Sequence, residues 1–152
     1  MNCWSGDMAE DDRQLKPMSR QQALDKLASA PFGRVVFTEH AMPALRQVNH
    51  LVDHGRIIIR SHPDSALTNR ADHGHGVVLL YEADDIDPLT RTGWSVTVTG
   101  LARLIEDPVQ AAHYKELLHP WVAGNMSAVI SIDTEIVNGF ELTGSEPPVA
   151  AS

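Results

Sequence analysis

Apolar and polar residues alternate most regularly between Trp94 and Ile105. Trp94, Val96 and Val98 are apolar, whereas the residues between them carry hydroxyl groups. A period of two residues is typical of a β-strand with one buried face. The alternation therefore predicts a strand over 94–105.

Several shorter segments rich in β-branched residues predict further strands. They are 34–38, 44–52, 56–61, 77–82, 127–132 and 136–142. Asp53-His54-Gly55, between two of them, is typical of a tight hairpin turn. Residues 39–43 are interpreted as a turn, and residues 84–93 as a long polar loop.

Capping signals predict two helices. Ser19 and Gln22 form a capping box ahead of apolar residues at helical spacing, which predicts a helix over about 19–30. Asp107 followed by Pro108 is a strong start signal for a second helix, over 107–118. A short helix capped by Asp64 or Ser65 is also expected, ending at Arg70.

Short strands joined by hairpins favour a closed or partly closed barrel. We therefore predict a mainly β fold, an antiparallel, Greek-key-like barrel of six or seven strands with flanking helices. The folded domain is expected over 19–143, between flexible tails at 1–18 and 144–152.

Composition excludes several classes of partner. The net charge is −8 and no Lys/Arg cluster is present, so neither nucleic acid nor an anionic membrane is an expected partner. The longest apolar run, residues 77–81, is far too short to span a bilayer. With a polar N-terminus and Cys3 as the single cysteine, a cytoplasmic location is expected.

Metal and nucleophile chemistry have weak support. His73-Gly74-His75 offers ligand-type side chains, but no His-Glu-x-x-His motif or cysteine pair accompanies it. The acidic stretch 84–87 lacks the spacing of a calcium loop, and no strand-turn-helix Gly-x-Ser-x-Gly is present. No metal site is predicted, and no catalytic residue is assigned.

Five collinear segments resemble the pyridoxamine 5′-phosphate oxidase-like family. They are the opening helix followed by Gly33-Arg34-Val35, then Pro43 with Val48-Asn49-His50, Ile57-Ile58-Ile59-Arg60-Ser61 followed by Ser65-Ala66-Leu67, residues 93–100, and Pro120-Trp121. Each segment alone is a weak signal. Their order and spacing make the resemblance specific over roughly residues 19–143.

The resemblance implies a split barrel that works as a homodimer, with FMN bound in the interface, and an FMN-dependent oxidoreductase activity. Arg60, Ser61 and Ser65 are then expected to bind the flavin phosphate, since arginine offers a planar fork of donors to phosphate. The start of the short helix near Ser65 would add an anion site. The remaining implied cofactor-binding residues are Val48, Asn49 and His50 along the ring, Trp94 and Ser95 nearby, and Trp121 from the other subunit.

The sequence departs from the family pattern at Ala66, where a lysine is usual. Two alternatives therefore stay open, a split-barrel binder of another redox cofactor (deazaflavin F420 or haem) and a non-catalytic flavin-binding protein. From the residues alone, Arg60 is more often a solvated arginine at a strand end, and Trp94 and Trp121 are equally packing residues. The segment 136–142 lacks the basic ending of true pyridoxamine phosphate oxidases, so that activity is not expected and the substrate is unassigned.

Overall fold

The computed structural model describes residues 14–72 and 74–144. Its helices and strands follow the chain in one order. They are β1 (Gln14–Pro17), α1 (Arg20–Ser29), β2 (Phe32–Glu39), β3 (Met42–Asp53), β4 (Arg56–Ser61), α2 (Ala66–Ala71), β5 (Val77–Asp87), β6 (Thr92–Leu104), α3 (Pro108–Leu117), β7 (Ala128–Ile132) and β8 (Ile136–Thr143).

Six of these strands close into an antiparallel barrel. Their order is β6-β5-β2-β3-β4-β7, and β7 returns to β6 with Ala102 opposite Ile132. Strand β8 pairs with the first half of β6, and β1 pairs with β8 outside the barrel. The predicted mainly β fold, an antiparallel barrel with flanking helices, is confirmed.

The barrel interior is filled by aliphatic side chains because each strand turns every second residue inward. Fully buried interior residues include Val35, Ile57, Ile59, Tyr81, Val96, Val98, Ile130 and Ile132. The face of β6 that carries Trp94, Val96 and Val98 is the buried one, as its alternation predicts. Trp94 is therefore a core residue.

Helix α1 covers one side of this core. The capping box of Ser19 and Gln22 is formed as predicted, and Ala23 and Leu27 are completely buried. The helix can approach β8 closely because position 139 is glycine. A Cβ atom on Gly139 would lie 2.7 Å from the Cβ of Ala23, which is closer than two such atoms can pack.

The predicted turns and short helices are present. His54 and Gly55 both have positive φ, 50° and 74°, and they join β3 to β4 as a two-residue hairpin. Helix α2 begins after its N-cap Ser65, and α3 begins after its N-cap Asp107 with Pro in the first turn. Within the described residues, no helix combines the length and the apolar character needed to cross a membrane.

Two sequence predictions require correction. Residues 84–93 are not a long loop, because β5 runs to Asp87 and β6 begins at Thr92. The acidic residues at 84–87 favour a loop, but they belong to β5, which pairs with β6 along its whole length. Residues 14–17 were expected in a flexible tail, yet they form β1 against β8. Met18, also in that predicted tail, packs against the core. Residues 1–13 and 145–152 of the two predicted tails lie outside the described residues.

Candidate functional site

A groove opens where two neighbouring barrel strands separate. Pairing between β3 and β4 extends from Asp53–Arg56 to His50–Ile59 and stops there. Beyond that point β3 stays paired with β2, while β4 stays paired with β7. Val48 and Asn49 therefore lie on one side of the opening and Arg60 on the other. We call this opening the split groove.

The split groove consists of two adjoining cavities of about 280 and 310 Å³. They share one stretch of wall, formed by Gln47, Val48, Arg60, Val122 and Met126. The first cavity is lined also by Phe32, Asn49, Pro120 and Trp121, and we call it the apolar end for its two aromatic side chains. The second cavity is lined also by Phe37, Arg46, Ser61, His62, Ser65, Ala66 and Leu67, and we call it the polar end for its arginine and hydroxyl groups, although most of its lining is apolar.

The outer wall of the groove is the 118–127 loop, the segment between α3 and β7, and Arg60 holds both of its ends. The Arg60 Nε donates to the carbonyl of Met126 at 2.8 Å, and Nη1 donates to the carbonyl of Leu118 at 2.9 Å. A longer contact of 3.5 Å joins Nη1 to the carbonyl of Lys115. Much of the donor capacity of Arg60 is thus used by the protein itself.

Asn49 holds the middle of the same loop. Its Oδ1 accepts a hydrogen bond from the backbone N–H of Trp121 at 2.7 Å, and its Nδ2 donates to the carbonyl of Pro31 at 3.1 Å. The indole of Trp121 packs on Phe32 with 5.5 Å between ring centroids and remains 69% exposed. A flat aromatic surface therefore stands at the apolar end, available to a second ring.

Hydroxyl groups are concentrated at the polar end. The Oγ of Ser61 lies 2.8 Å from the Oγ of Ser65, which in turn donates to Oγ1 of Thr68 at 2.9 Å. Ser65 also caps α2 by accepting from the N–H of Thr68. Ser61 and Thr68 are buried, so these groups are fixed in place by the surrounding packing.

Arg46 supplies the positive charge at the polar end. Its guanidinium lies 3.7 Å from a carboxylate oxygen of Glu39 and stacks over Phe37 at 5.7 Å from the ring centroid. More than half of the side chain is exposed, so the ion pair is weak and the guanidinium can accept another anion. His62 contributes a second polar ring, whose Nδ1 accepts from the N–H of Asp64.

The structure brings together six of the nine residues expected to bind a cofactor. Val48, Asn49, Arg60, Ser61, Ser65 and Trp121 all line the split groove. Trp121, expected from the other subunit, lies on the groove of its own chain. Trp94 belongs to the barrel core, and Ser95 lies on β6 opposite Asp84 and Phe140, so neither lines the groove.

His50 does not line the groove either, because it is one residue inside the paired part of β3 and points into the core. Its Nε2 donates to the carbonyl of Leu27 at 2.8 Å, and its Nδ1 accepts from the hydroxyl of Tyr81. Burial lowers the pKa of His50 below its usual 6.5 and raises the pKa of Tyr81. The neutral imidazole is therefore the form that fits this site.

Sequence reasoning missed Arg46, Gln47, His62 and Met126 as groove residues. Arg46 and Gln47 stand immediately before the Val48-Asn49 pair, and a cation on the strand beside an expected phosphate site is a signal that could have identified Arg46. Met126 is held at the groove by Arg60, a contact between residues 66 positions apart. No group of three His, Cys, Asp or Glu side chains suited to a metal ion occurs among the residues described, and His73 is outside them.

A split barrel with a groove that is aromatic at one end and basic at the other defines the class of this protein. The sequence profile of the pyridoxamine 5′-phosphate oxidase family matches residues 19–143. An uncharacterized protein of Mycobacterium tuberculosis is 49% identical over 132 residues, which cover 86% of this chain and 87% of the relative. The chain belongs to the pyridoxamine 5′-phosphate oxidase family.

Solved structures show the same fold. A candidate pyridoxamine 5′-phosphate oxidase from Corynebacterium glutamicum aligns with a TM-score of 0.70 and 28% identity, covering 87% of this chain and 96% of its own. An FAD-binding protein from Mycobacterium smegmatis aligns with a TM-score of 0.66 and 23% identity, covering 84% of this chain and 100% of its own. This chain therefore shares its fold with an FAD-binding protein.

Proposed function

We propose that this protein binds FMN in the split groove and uses it as an oxidoreductase. The observation that carries the proposal is the placement of aromatic side chains at one end of the groove and of arginine and hydroxyl groups at the other. A flavin mononucleotide has the same division, with a flat ring system at one end and a phosphate at the other. The M. smegmatis protein of the same fold is an FAD-binding protein, which supports a flavin here.

The polar end suits the phosphate because its donors act at short range. The chain carries a net charge of −8, so the long-range field of the protein repels a dianion and local contacts must hold it. Arg46 is the guanidinium best placed for this role, since its one ion pair among the described residues is the weak one with Glu39. Arg60, bound to backbone carbonyls, contributes mainly by holding the 118–127 loop.

The apolar end suits the ring system. Trp121 and Phe32 offer exposed aromatic surface, and Val48 and Val122 complete an apolar lining. A bound flavin supplies hydride or electron transfer itself, and the protein has to bind it, orient it and shield one face. A dedicated acid or base in the groove is therefore not required for this class of reaction.

The lysine missing at position 66 provides a direct test of this assignment. Ala66 lines the polar end, so a lysine introduced there adds a cation beside Ser65. Ala66→Lys is expected to tighten FMN binding by about tenfold, the equivalent of one added charge-assisted hydrogen bond. Riboflavin, which lacks the phosphate, should bind both proteins equally, and flavin fluorescence titration of the apoprotein measures both affinities.

The native ligand is identified independently by mass spectrometry of the small molecules released from purified protein. FMN in that fraction supports the proposal. A haem, recognised also by a Soret band, or a deazaflavin would overturn the FMN assignment and leave the split groove as the site of another redox cofactor. Wild-type protein with no measurable affinity for any flavin would overturn the flavin function itself.

We also propose that the protein is a homodimer, because the outer face of the sheet carries an apolar row. The row consists of successive cross-strand neighbours from β3 to β8, which are Leu45, Val36, Leu80, Thr99 and Ile136. All of them except Thr99 are aliphatic. Leu45 and Ile136, at the two ends of the row, are more than half exposed, and Leu80 between them is 36% exposed, so the row leaves aliphatic surface open to a partner. An interface on this side would also bring Ser95 towards a partner subunit.

Light scattering at micromolar concentration is expected to give twice the chain mass of 16.7 kDa. Leu80→Glu places a charge in the apolar row and should produce monomers. Leu89→Glu is the matched control, since Leu89 is 90% exposed in the turn between β5 and β6 and outside the row. A wild-type mass of one chain would refute the dimer, and dissociation of both variants would mean that the row is not its interface.

A further inference from the structure

The hydroxyl groups at the polar end of the split groove form a chain with a defined proton direction. The carbonyl of His62 can only accept, so the hydroxyl of Thr68, 2.6 Å away, donates its one proton there. The 2.9 Å contact between Ser65 and Thr68 must then use the proton of Ser65. By the same reasoning, the 2.8 Å contact between Ser61 and Ser65 uses the proton of Ser61.

Both serines are consequently occupied as donors. Ser65 gives its proton to Thr68 and accepts from Ser61 and from the N–H of Thr68. A phosphate oxygen can only accept, so it would meet hydroxyl oxygens whose protons point away from it. A ligand phosphate gains a serine donor only if one proton in the chain turns towards the cavity.

One such change is a rotation of the Ser65 hydroxyl. Turning its proton into the cavity breaks the contact with Thr68 Oγ1 and no other, because Ser65 keeps the two hydrogen bonds that it accepts. Thr68 keeps its hydrogen bond to His62. Binding of a phosphate and the bond from Ser65 to Thr68 therefore compete for one proton.

We propose that Thr68 is a positioning residue that sets the affinity of the polar end for a phosphate-bearing ligand by holding the Ser65 proton. Thr68 is buried behind Ser65 and is not among the side chains that line the groove. The inference rests on the proposed function in one respect, that the cofactor's phosphate occupies the polar end. Beyond the proposed function, Thr68 is then a residue that opposes phosphate binding.

The test is a comparison of FMN and riboflavin affinities in variants at position 68. Thr68→Val removes the acceptor while keeping the shape of the side chain, so Ser65 is free to donate into the cavity. FMN is expected to bind about two- to tenfold more tightly, the value of one net hydrogen bond. Riboflavin affinity should not change, since the proton matters only to the phosphate.

Two further variants separate this role from a structural one. Thr68→Ser keeps the hydroxyl and should behave as wild type. Ser65→Ala should cancel the effect of Thr68→Val on FMN affinity in the double variant, because the proton that Thr68 holds is gone. The backbone N–H of Ser65 still donates to the carbonyl of His62, so this carbonyl stays satisfied in Thr68→Val.

The outcomes are distinct. An unchanged ratio of FMN to riboflavin affinity in Thr68→Val, with wild type binding FMN, would overturn the role of Thr68 and leave the proposed function standing. Wild type that binds neither flavin would overturn both together. If Thr68→Val does not fold, as judged by its thermal transition, Thr68→Ala removes the same acceptor and is judged by the same ratio.

Discussion

Replacing Arg60 with alanine is expected to weaken the binding of FMN and riboflavin alike, by at least about tenfold. The physical reason is that Arg60 holds the carbonyls of Leu118 and Met126, the two ends of the 118–127 loop. Without it, the wall that carries Trp121 loses its anchors and both flavins lose their aromatic surface. The free energy of unfolding should fall by about 1.5–3 kcal/mol, the range for hydrogen bonds to a charged group.

Two matched variants separate the loss of the loop anchor from the loss of an arginine or of positive charge. Arg103→Ala removes an exposed arginine of β6 outside the split groove and should change neither affinity nor stability. Arg46→Gln should weaken FMN binding selectively, because it removes charge from the polar end and leaves the loop intact. If Arg60→Ala lowers FMN affinity while riboflavin affinity stays unchanged, Arg60 is a phosphate ligand, as the sequence predicts, and its role as a loop anchor is minor.

Replacing His50 with phenylalanine is expected to lower the free energy of unfolding at pH 7.5 by about 1–3 kcal/mol, the cost of an unsatisfied buried polar group. Tyr81 is fully buried and would lose the acceptor of its hydroxyl proton. The carbonyl of Leu27 is less affected, since it also accepts from Ala30. Chemical denaturation of His50→Phe, Tyr81→Phe and the double variant measures the coupling between the two side chains.

The double variant should be more stable than His50→Phe, because the orphaned hydroxyl is gone. Additive losses would show that the His50–Tyr81 contact contributes nothing. The pH dependence has a definite sign as well. Burial lowers the pKa of His50, so its stabilising contribution is complete above pH 6.5 and is lost as the pH falls towards the lower value in the folded state.

Denaturation between pH 7.5 and pH 5 should therefore show a decline in wild type that is smaller in His50→Phe. Burial, with Asp84 beside it, raises the pKa of Glu82, and this group loses its stabilising contribution as the pH rises through that raised pKa. Glu82 titrates in both proteins. The difference between the pH profiles of wild type and His50→Phe therefore reports the contribution of His50. An identical pH profile would show that His50 has the same pKa in the folded and unfolded chain.

The sequence predicts an element correctly where the residues that determine it are adjacent along the chain. The hairpin at His54-Gly55 and the caps at Ser19 and Asp107 are of this kind, and each is observed. The stretch 84–87 is not, because its acidic residues favour a loop while pairing with β6 makes them a strand. The pairing with β6 outweighs the composition of residues 84–87, and no local sequence pattern indicates that pairing.

The groove was only partly predictable for the same reason. Val48, Asn49, Arg60 and Ser61 could be named, but the residue at which β3 and β4 separate depends on how the whole barrel closes. His50 falls one position inside that boundary and is buried, although it adjoins groove residues in sequence. Arg46 falls outside it, on the part of β3 that pairs with β2 but no longer with β4, and so becomes available to a ligand.

Strand β1 determines where this chain can be shortened. It covers the outer edge of β8, and as the last strand of the sheet it is only four residues long and carries Lys16 and Pro17. A lysine and a proline on a short edge strand discourage further strand addition. A chain trimmed at residue 18, as a tail assignment would suggest, exposes the unprotected edge of β8, and such an edge is a template for aggregation.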